Sequence, residues 1–226
     1  MPLTFELAAH VESCESTQAL LDASMPEGSY AVADHQTAGR GRLGRTWEAP
    51  PGSALLVSVL LKPPAERPLP QLALVAGVAV ADALEELTGL AVQIKWPNDV
   101  MLRRQKVCGI LAEARDGAVV LGVGVNLAQP IEELPERAGS LFTTTGRALP
   151  RDEVLAAVLD ALGERYEAWA AGGLDAVYDG LGPRDFLRGR TVSVNGTTGV
   201  AELIDREGRL LVDGVAIESG EVVYER

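Results

Sequence analysis

Gly39 to Thr46 reads GRGRLGRT, and it fits two nucleotide-binding patterns at once. As G-x-G-x-x-G it is a dinucleotide fingerprint; as G-x-x-x-x-G-[K/R]-T it is a Walker loop with Arg in place of Lys. Both patterns need a helix directly after the glycines, with its N-terminus on the phosphates. Here the chain continues Arg45-Thr46-Trp47-Glu48-Ala49-Pro50-Pro51-Gly52. Two prolines forbid a helix growing out of the loop, and SALLVSVLL from Ser53 reads as a buried strand. Both readings fail on context. What remains is a long glycine loop carrying Arg40, Arg42 and Arg45. Glycine lets backbone approach a ligand, and arginine forks onto carboxylate or phosphate. Three like charges within six residues repel until an anion arrives, so the loop is expected to order on binding.

The surrounding chain bounds what that anion is. At 226 residues it has room for one medium domain and a small one. A hydrophobic fraction of 47% is globular rather than disordered. The net charge of -12 argues against DNA as the main partner. Cys14 and Cys108 are expected to be buried and unpaired, with no C-x-x-C to suggest otherwise. His10 and His35 are too few and too far apart for a histidine metal site. The N-terminus lacks the pattern of a signal peptide, and no apolar run is long enough to span a bilayer, which predicts a cytoplasmic chain.

Outward from the loop, Ser16 caps a predicted helix over QALLDASM, and SYAVADHQ from Ser29 is a strand. A long helix is predicted over Gln71 to Leu87, then the strand AVQIKW ending in Pro97-Asn98-Asp99. VCGILAEAR and AVVLGVGVNL form a hairpin about Asp116-Gly117. Further helices follow from Arg151 to Ala171 and around Leu174 to Leu181. After Gly182 the texture becomes short strands with turns at Asn195-Gly196, Glu207-Gly208, Asp213-Gly214 and Ser219-Gly220, which predicts a small β-barrel.

Four segments carry chemistry: the arginine loop, KWPND (Lys95 to Asp99), Lys106 opening KVCGILAEA, and VGVGVNL. In the last, Gly122, Gly124 and Asn126 share one strand face, so the glycines leave room for a ligand. Each is weak alone. In this order they resemble the biotin protein ligase family, from about Ser16 to Leu127 at motif level and more loosely to the C-terminus. The resemblance implies an α+β fold: a mixed β-sheet catalytic domain with helices packed on it over residues 1–182, and a small SH3-like β-barrel over 183–226.

It further implies that biotin and Mg-ATP form biotinyl-5′-AMP, whose biotin then passes to one lysine of a biotin carboxyl carrier protein. By motif, Ser16, Thr17, Gln18 and Gln36 would line the biotin end, bordered by Gly109, Leu111 and Gly122. Gly39, Arg40, Gly41 and Arg42 would close over the acyl-adenylate, and Lys106 would contact the reacting carboxylate and α-phosphate. Arg40, Arg42 and Lys106 are thus the expected catalytic groups. Arg42, Arg45, Trp47, Asn98, Asp99, Lys106 and Asn126 fall on the nucleotide side, and Asp99 is a candidate Mg²⁺ ligand.

Some relatives carry an N-terminal winged helix-turn-helix; the 15 residues before Ser16 are too few for one, so no DNA binding is expected. Two alternatives stay open, a lipoate–protein ligase and a non-catalytic biotin- or nucleotide-binding module. A homodimer through a sheet edge is also left open.

Overall fold

The computed structural model describes residues 3–224. Seven strands build its main sheet: β1 Glu6–Cys14, β2 Ser29–Gln36, β3 Ala54–Leu61, β4 Val92–Lys95, β5 Asp99–Leu102, β6 Gln105–Arg115 and β7 Ala118–Asn126. Their order is β1-β2-β3-β7-β6-β5-β4. β1 and β2 run parallel and every other neighbouring pair is antiparallel, so the sheet is mixed, as expected. β3 is apolar at all but one position and buried at every one, which places it at the centre, covered on both faces. The β6–β7 hairpin turns through Asp116 (φ 49°) and Gly117 (φ 81°), left-handed at both positions as a two-residue turn requires.

Two long helices cover one face. α1 (Gln71–Thr88) is buried along most of its length and stops at left-handed Gly89. Two short elements, α2 (Leu141–Thr145) and α4 (Tyr178–Leu181), flank α3 (Arg151–Gly172) in the chain. Pro150 precedes α3, and Asp152 and Glu153 sit in its first turn, where the helix dipole favours acids. Arg165 on α3 pairs with Asp82 on α1 at 2.7 Å, and Arg184 reaches the other oxygen of Asp82 at 2.7 Å.

A second, antiparallel sheet comprises β8 Thr191–Val194, β9 Thr197–Ile204, β10 Leu210–Val212, β11 Val215–Ile217 and β12 Val222–Tyr224, ordered β11-β10-β9-β8-β12. It stands where the small barrel is expected; among the described residues its pairings leave β11 and β12 as edges. The turns at Asn195-Gly196 and Asp213-Gly214 are left-handed at both residues. The expected boundary at residue 183 falls within the 3₁₀ turn Gly182–Arg184. Four hydrogen bonds grip the end of β9 and the turn after it: Trp96 Nε1 donates to Gly208 O (3.0 Å), Gln71 Nε2 to Glu207 O (3.0 Å), Tyr178 Oη to Ile204 O (2.5 Å) and Ile204 N to Asp185 Oδ2 (3.1 Å).

Some local readings need correction. The helix expected over QALLDASM is one 3₁₀ turn, Thr17–Leu20, and Ser16 before it makes no side-chain cap. Thr17 and Gln18 are instead turned inward and buried. β1, β5 and α2 escape the sequence reading: β1 is an exposed edge with little alternation, and β5 and α2 are four and five residues long. Cys108 is buried and unpaired, whereas Cys14 is only half-buried. No helix among the described residues is long and apolar enough to cross a membrane.

Asp185 ties the sheets together: its backbone bridges Ile94 of β4, and its carboxylate serves the second sheet. It accepts the Leu187 and Ile204 N–H groups at 3.0 and 3.1 Å, and burial holds its carboxyl above the usual carboxylate range against the pull of those bonds. Asp185→Ala leaves two buried donors unpaired. It is expected to lower stability by about 2–4 kcal/mol, read as a lower urea midpoint at unchanged slope.

Candidate functional site

On the face of the main sheet opposite α1 and α3 lies a cleft of about 950 Å³, counting its open mouth. The sheet forms its floor through Leu56 and Ser58 of β3, Gly109 and Leu111 of β6, and Gly122 and Gly124 of β7. The segment 39–47 forms its roof. This is the glycine-arginine loop, and it folds as a small hairpin. Arg40 and Thr46 bridge in antiparallel fashion, Trp47 N donates to Gly39 O at 2.9 Å, and Gly41 N donates to Arg45 O at 2.7 Å. Its tip turns through left-handed Leu43 (φ 55°) and Gly44 (φ 76°). The next element is β3, so neither the dinucleotide nor the Walker geometry exists.

The glycines have a physical reason. A Cβ on Gly109 or on Gly124 would stand 2.7 Å from the Trp47 ring, and one on Gly122 would stand 2.7 Å from Gln18 Nε2. A Cβ on Gly39 would stand 2.3 Å from the Trp47 carbonyl oxygen, where the two hairpin arms cross. Only residues without a side chain let the indole lie on the sheet and the hairpin close.

One end of the cleft is built from amides and hydroxyls on an apolar wall. Gln36 Oε1 accepts the Thr17 N–H at 2.7 Å, and Thr17 Oγ1 meets Ser58 Oγ at 2.7 Å. Gln18 Nε2 donates to Leu111 O at 3.2 Å, which leaves its buried Oε1 without a partner. Trp47 Nε1 is likewise buried and unpartnered. An unpartnered acceptor and an unpartnered donor lining one cleft suit a ligand that brings an N–H and an acceptor.

The other end is cationic. Lys106 Nζ lies 2.7 Å from Asp99 Oδ1 and 5.7 Å from the centre of the Trp47 ring. Lys95 Nζ lies 3.2 Å from Asp99 Oδ2. Arg42 donates to Asn98 Oδ1 at 3.2 Å, and Asn98 is oriented by its own bond to Ile110 O at 2.8 Å. Burial pulls the Arg42 guanidinium below its usual value, opposed by Asp99 and Glu221. Arg45 forms an ion pair with Glu221, and Arg40 with Glu113 at 3.2 Å. Five cations therefore face three carboxylates, a surplus that suits a polyanion.

Of the residues expected from sequence, Ser16, Thr17, Gln18, Gln36, Arg40, Gly41, Arg42, Arg45, Trp47, Asn98, Asp99, Lys106, Gly109, Leu111 and Gly122 all line this cleft. Gly39 closes the hairpin behind it. Asn126 is elsewhere: buried, it donates to Gly139 O at 3.0 Å and accepts from Gln129 at 3.2 Å. Asp99, expected as a candidate Mg²⁺ ligand, holds one ammonium on each oxygen. No group of three or more His, Cys, Asp or Glu among the described residues could hold a metal ion. Sequence reasoning missed the roles of Lys95 and Ser58, and of Gly220, Glu221 and Val222, which the second sheet contributes. Ser58 had a signal, as the one polar residue in ALLVSVLL; Lys95 stood within KWPND; Gly220 to Val222 had none.

Comparison with known proteins follows this geometry. A family profile described as "Biotin/lipoate A/B protein ligase family" matches residues 11–129. The chain is 36% identical over 212 residues to a bifunctional ligase/repressor of Bacillus subtilis, covering 86% of this chain and 64% of that protein. It thus spans somewhat less than two thirds of that relative. It is 35% identical over 215 residues to a biotin–[acetyl-CoA-carboxylase] ligase of Mycobacterium tuberculosis, covering 88% of this chain and 80% of the relative. The structure is similar to a biotin protein ligase from Aquifex aeolicus solved in complex with biotin and ATP. The TM-score is 0.86 at 34% identity, over 98% of both chains.

The packing of Trp47 is directly testable. Gly124→Ala places a methyl against the indole and is expected to lift it off the sheet. Trp96 and Trp169 are buried in the core and stay shielded. Acrylamide should then quench a larger share of the tryptophan emission than in wild type, at unchanged far-UV dichroism.

Proposed function

The chain belongs to the biotin/lipoate A/B protein ligase family, and on that premise we propose that it is an ATP-dependent biotin protein ligase. It joins biotin to ATP as biotinyl-5′-AMP, then transfers biotin to one lysine of a carboxyl carrier domain. The observation that carries the reading is the pairing of chemistries in one cleft: an amide-lined apolar end with an unpartnered Gln18 oxygen, against a cationic end centred on Lys106. A small apolar ligand with a polar ureido head and a carboxylate tail fits the first. A triphosphate fits the second. The similarity to ligases named for biotin supports the biotin branch over the lipoate branch.

The carboxylate oxygen of biotin attacks the α-phosphorus; the bond from that phosphorus to the bridging oxygen breaks, and pyrophosphate leaves. Both reactants are anions, so positive groups must cancel their repulsion and the charge that builds on the phosphorus oxygens. We assign that work to Lys106, Arg40 and Arg42. Asp99 fixes the Lys106 ammonium rather than taking part. Ser16, Thr17, Gln18, Gln36, Gly109, Leu111 and Gly122 hold biotin, and Arg45, Trp47 and Asn98 hold the nucleotide. ATP enters as its Mg²⁺ complex, with the metal carried by the phosphates as part of the substrate.

The product is a mixed anhydride that water destroys, so the 39–47 hairpin serves as its lid. In the second step the carrier lysine's neutral amine attacks the acyl carbon. AMP departs, and the amide nitrogen gives its proton to solvent. The acceptor proposed is the carrier domain of a biotin-dependent carboxylase, following the relatives' names.

Incubating a purified apo carrier domain with the protein and Mg-ATP, with biotin or lipoate in parallel, tests the assignment by intact mass. A biotin-sized gain on one lysine, absent with lipoate, is expected. A lipoyl gain would move the chain to the sister branch, and no gain with either would remove the ligase reading. Lys106→Ala is expected to slow biotin-dependent pyrophosphate release by about 10²–10³ while leaving thermal unfolding near wild type. Unchanged release would withdraw its role.

A further inference from the structure

We infer that Tyr224, in the last strand of the second sheet, is a positioning residue for Lys106. The inference rests on the ligase reading for its functional consequence, but its structural content stands on separate contacts.

Two routes run from Tyr224 to Lys106, and they arrive at different parts of the lysine. The first ends on its backbone. Lys106 N donates to Arg137 O at 2.8 Å, and Gly139 N donates to Lys106 O at 2.9 Å. The segment 137–139 thus lies alongside Lys106 as a short parallel bridge through Ala138. It fixes the lysine's backbone just where β7 stops pairing with β6, since that ladder begins at Cys108. Arg137 is left-handed (φ 67°), a conformation that a non-glycine residue keeps only when its surroundings hold it. Tyr224 supplies such a hold. The Arg137 Nη1 donates to Tyr224 O at 3.3 Å, and the guanidinium carbon lies 4.8 Å from the centre of the Tyr224 ring.

The second route ends on the ammonium. Lys95 Nζ lies 5.7 Å from the centre of the same ring and 3.2 Å from Asp99 Oδ2. The other oxygen of Asp99 holds Lys106 Nζ at 2.7 Å. The ring is itself set by an edge-on contact with Phe186, 5.4 Å between centres at 81°. One aromatic ring therefore steadies two cations, and each leads to Lys106. Tyr224 does not line the cleft, so its effect passes through the lysine rather than through substrate.

The consequence is specific. Without the ring, Lys106 keeps its identity but loses its fixed position, and small misplacements of a reacting group cost rate more than binding. The test measures amide hydrogen exchange and adenylate formation on the full chain. Tyr224→Ala is expected to speed exchange of the Lys106 and Gly139 amides at least about tenfold while leaving Leu121, central in β7, unchanged. It should also lower kcat for biotinyl-adenylate formation about tenfold at unchanged KM for biotin. Tyr224→Phe keeps the ring and should restore both. Arg137→Met removes the guanidinium from the other side of the contact. It should reproduce the local loss of protection even if Tyr224→Ala disturbs the second sheet more widely.

Unchanged protection at Lys106 and Gly139 in both Tyr224→Ala and Arg137→Met overturns the inference whatever the turnover. So does a Phe variant as impaired as Ala. Failure of the wild-type protein to form biotinyl-adenylate removes the ligase reading instead, and the exchange data then decide the positioning role alone.

Discussion

An indole laid across two neighbouring strands needs a floor without side chains. Gly109 and Gly124 face each other in register across β6 and β7, and together they clear the space that Trp47 occupies. The rest of the cleft follows from that seat. The indole anchors one arm of the 39–47 hairpin, so the arginines of the other arm and the tip hang over the sheet rather than over solvent. The same ring faces Lys106 and leaves its own N–H pointing to no protein acceptor. Adding one methyl group to either glycine disturbs the roof, the cation and the orphan donor together.

Charge is arranged with similar economy. A chain of net charge -12 holds five cations about one cleft. They do not repel the hairpin open because each is partly answered. Asp99 divides its carboxylate between Lys95 and Lys106, while Glu113 and Glu221 meet Arg40 and Arg45. The exposed pairs are worth about 0–1 kcal/mol each, little enough for an incoming polyanion to replace them. The Asp99 pairs are far less exposed and keep the lysines in place before any ligand arrives.

Much of this was legible in the sequence because the decisive signals are local. Two prolines after the arginines rule out a following helix. Asp116-Gly117 and Asn195-Gly196 mark turns whose left-handed backbone the structure shows. Alternating Gly122 and Gly124 mark an open strand face. What escaped was whatever depends on distant partners. β1 is an exposed edge that exists by pairing with β2, and no apolar alternation betrays it. Thr17 and Gln18 have helix-like neighbours, yet bonds to Gln36, Ser58 and Leu111 draw them inward and limit the helix to one turn. Asn126 lies on the predicted strand face, but it sits past the last glycine and is claimed by Gly139. Gly220 to Val222 reach the cleft only because the second sheet packs over it, and nothing in their own sequence reports that.

The grip on residues 204–208 bears on how anything enters. Swinging the second sheet aside would break at least five hydrogen bonds, the four from Trp96, Gln71, Tyr178 and Ile204 and the one from Arg137 to Tyr224 O, worth about 1 kcal/mol each. It would also expose the buried Asp185 carboxylate and the apolar residues beneath it. Raising the hairpin breaks two exposed ion pairs and the Arg42–Asn98 hydrogen bond, and unseats one ring. The cheaper motion is the hairpin's, so the second sheet acts as a fixed doorpost and the arginine-bearing tip as the door. On the proposed function, traffic through the cleft is gated by the segment that carries its positive charge, and an anionic guest helps to shut the door behind itself.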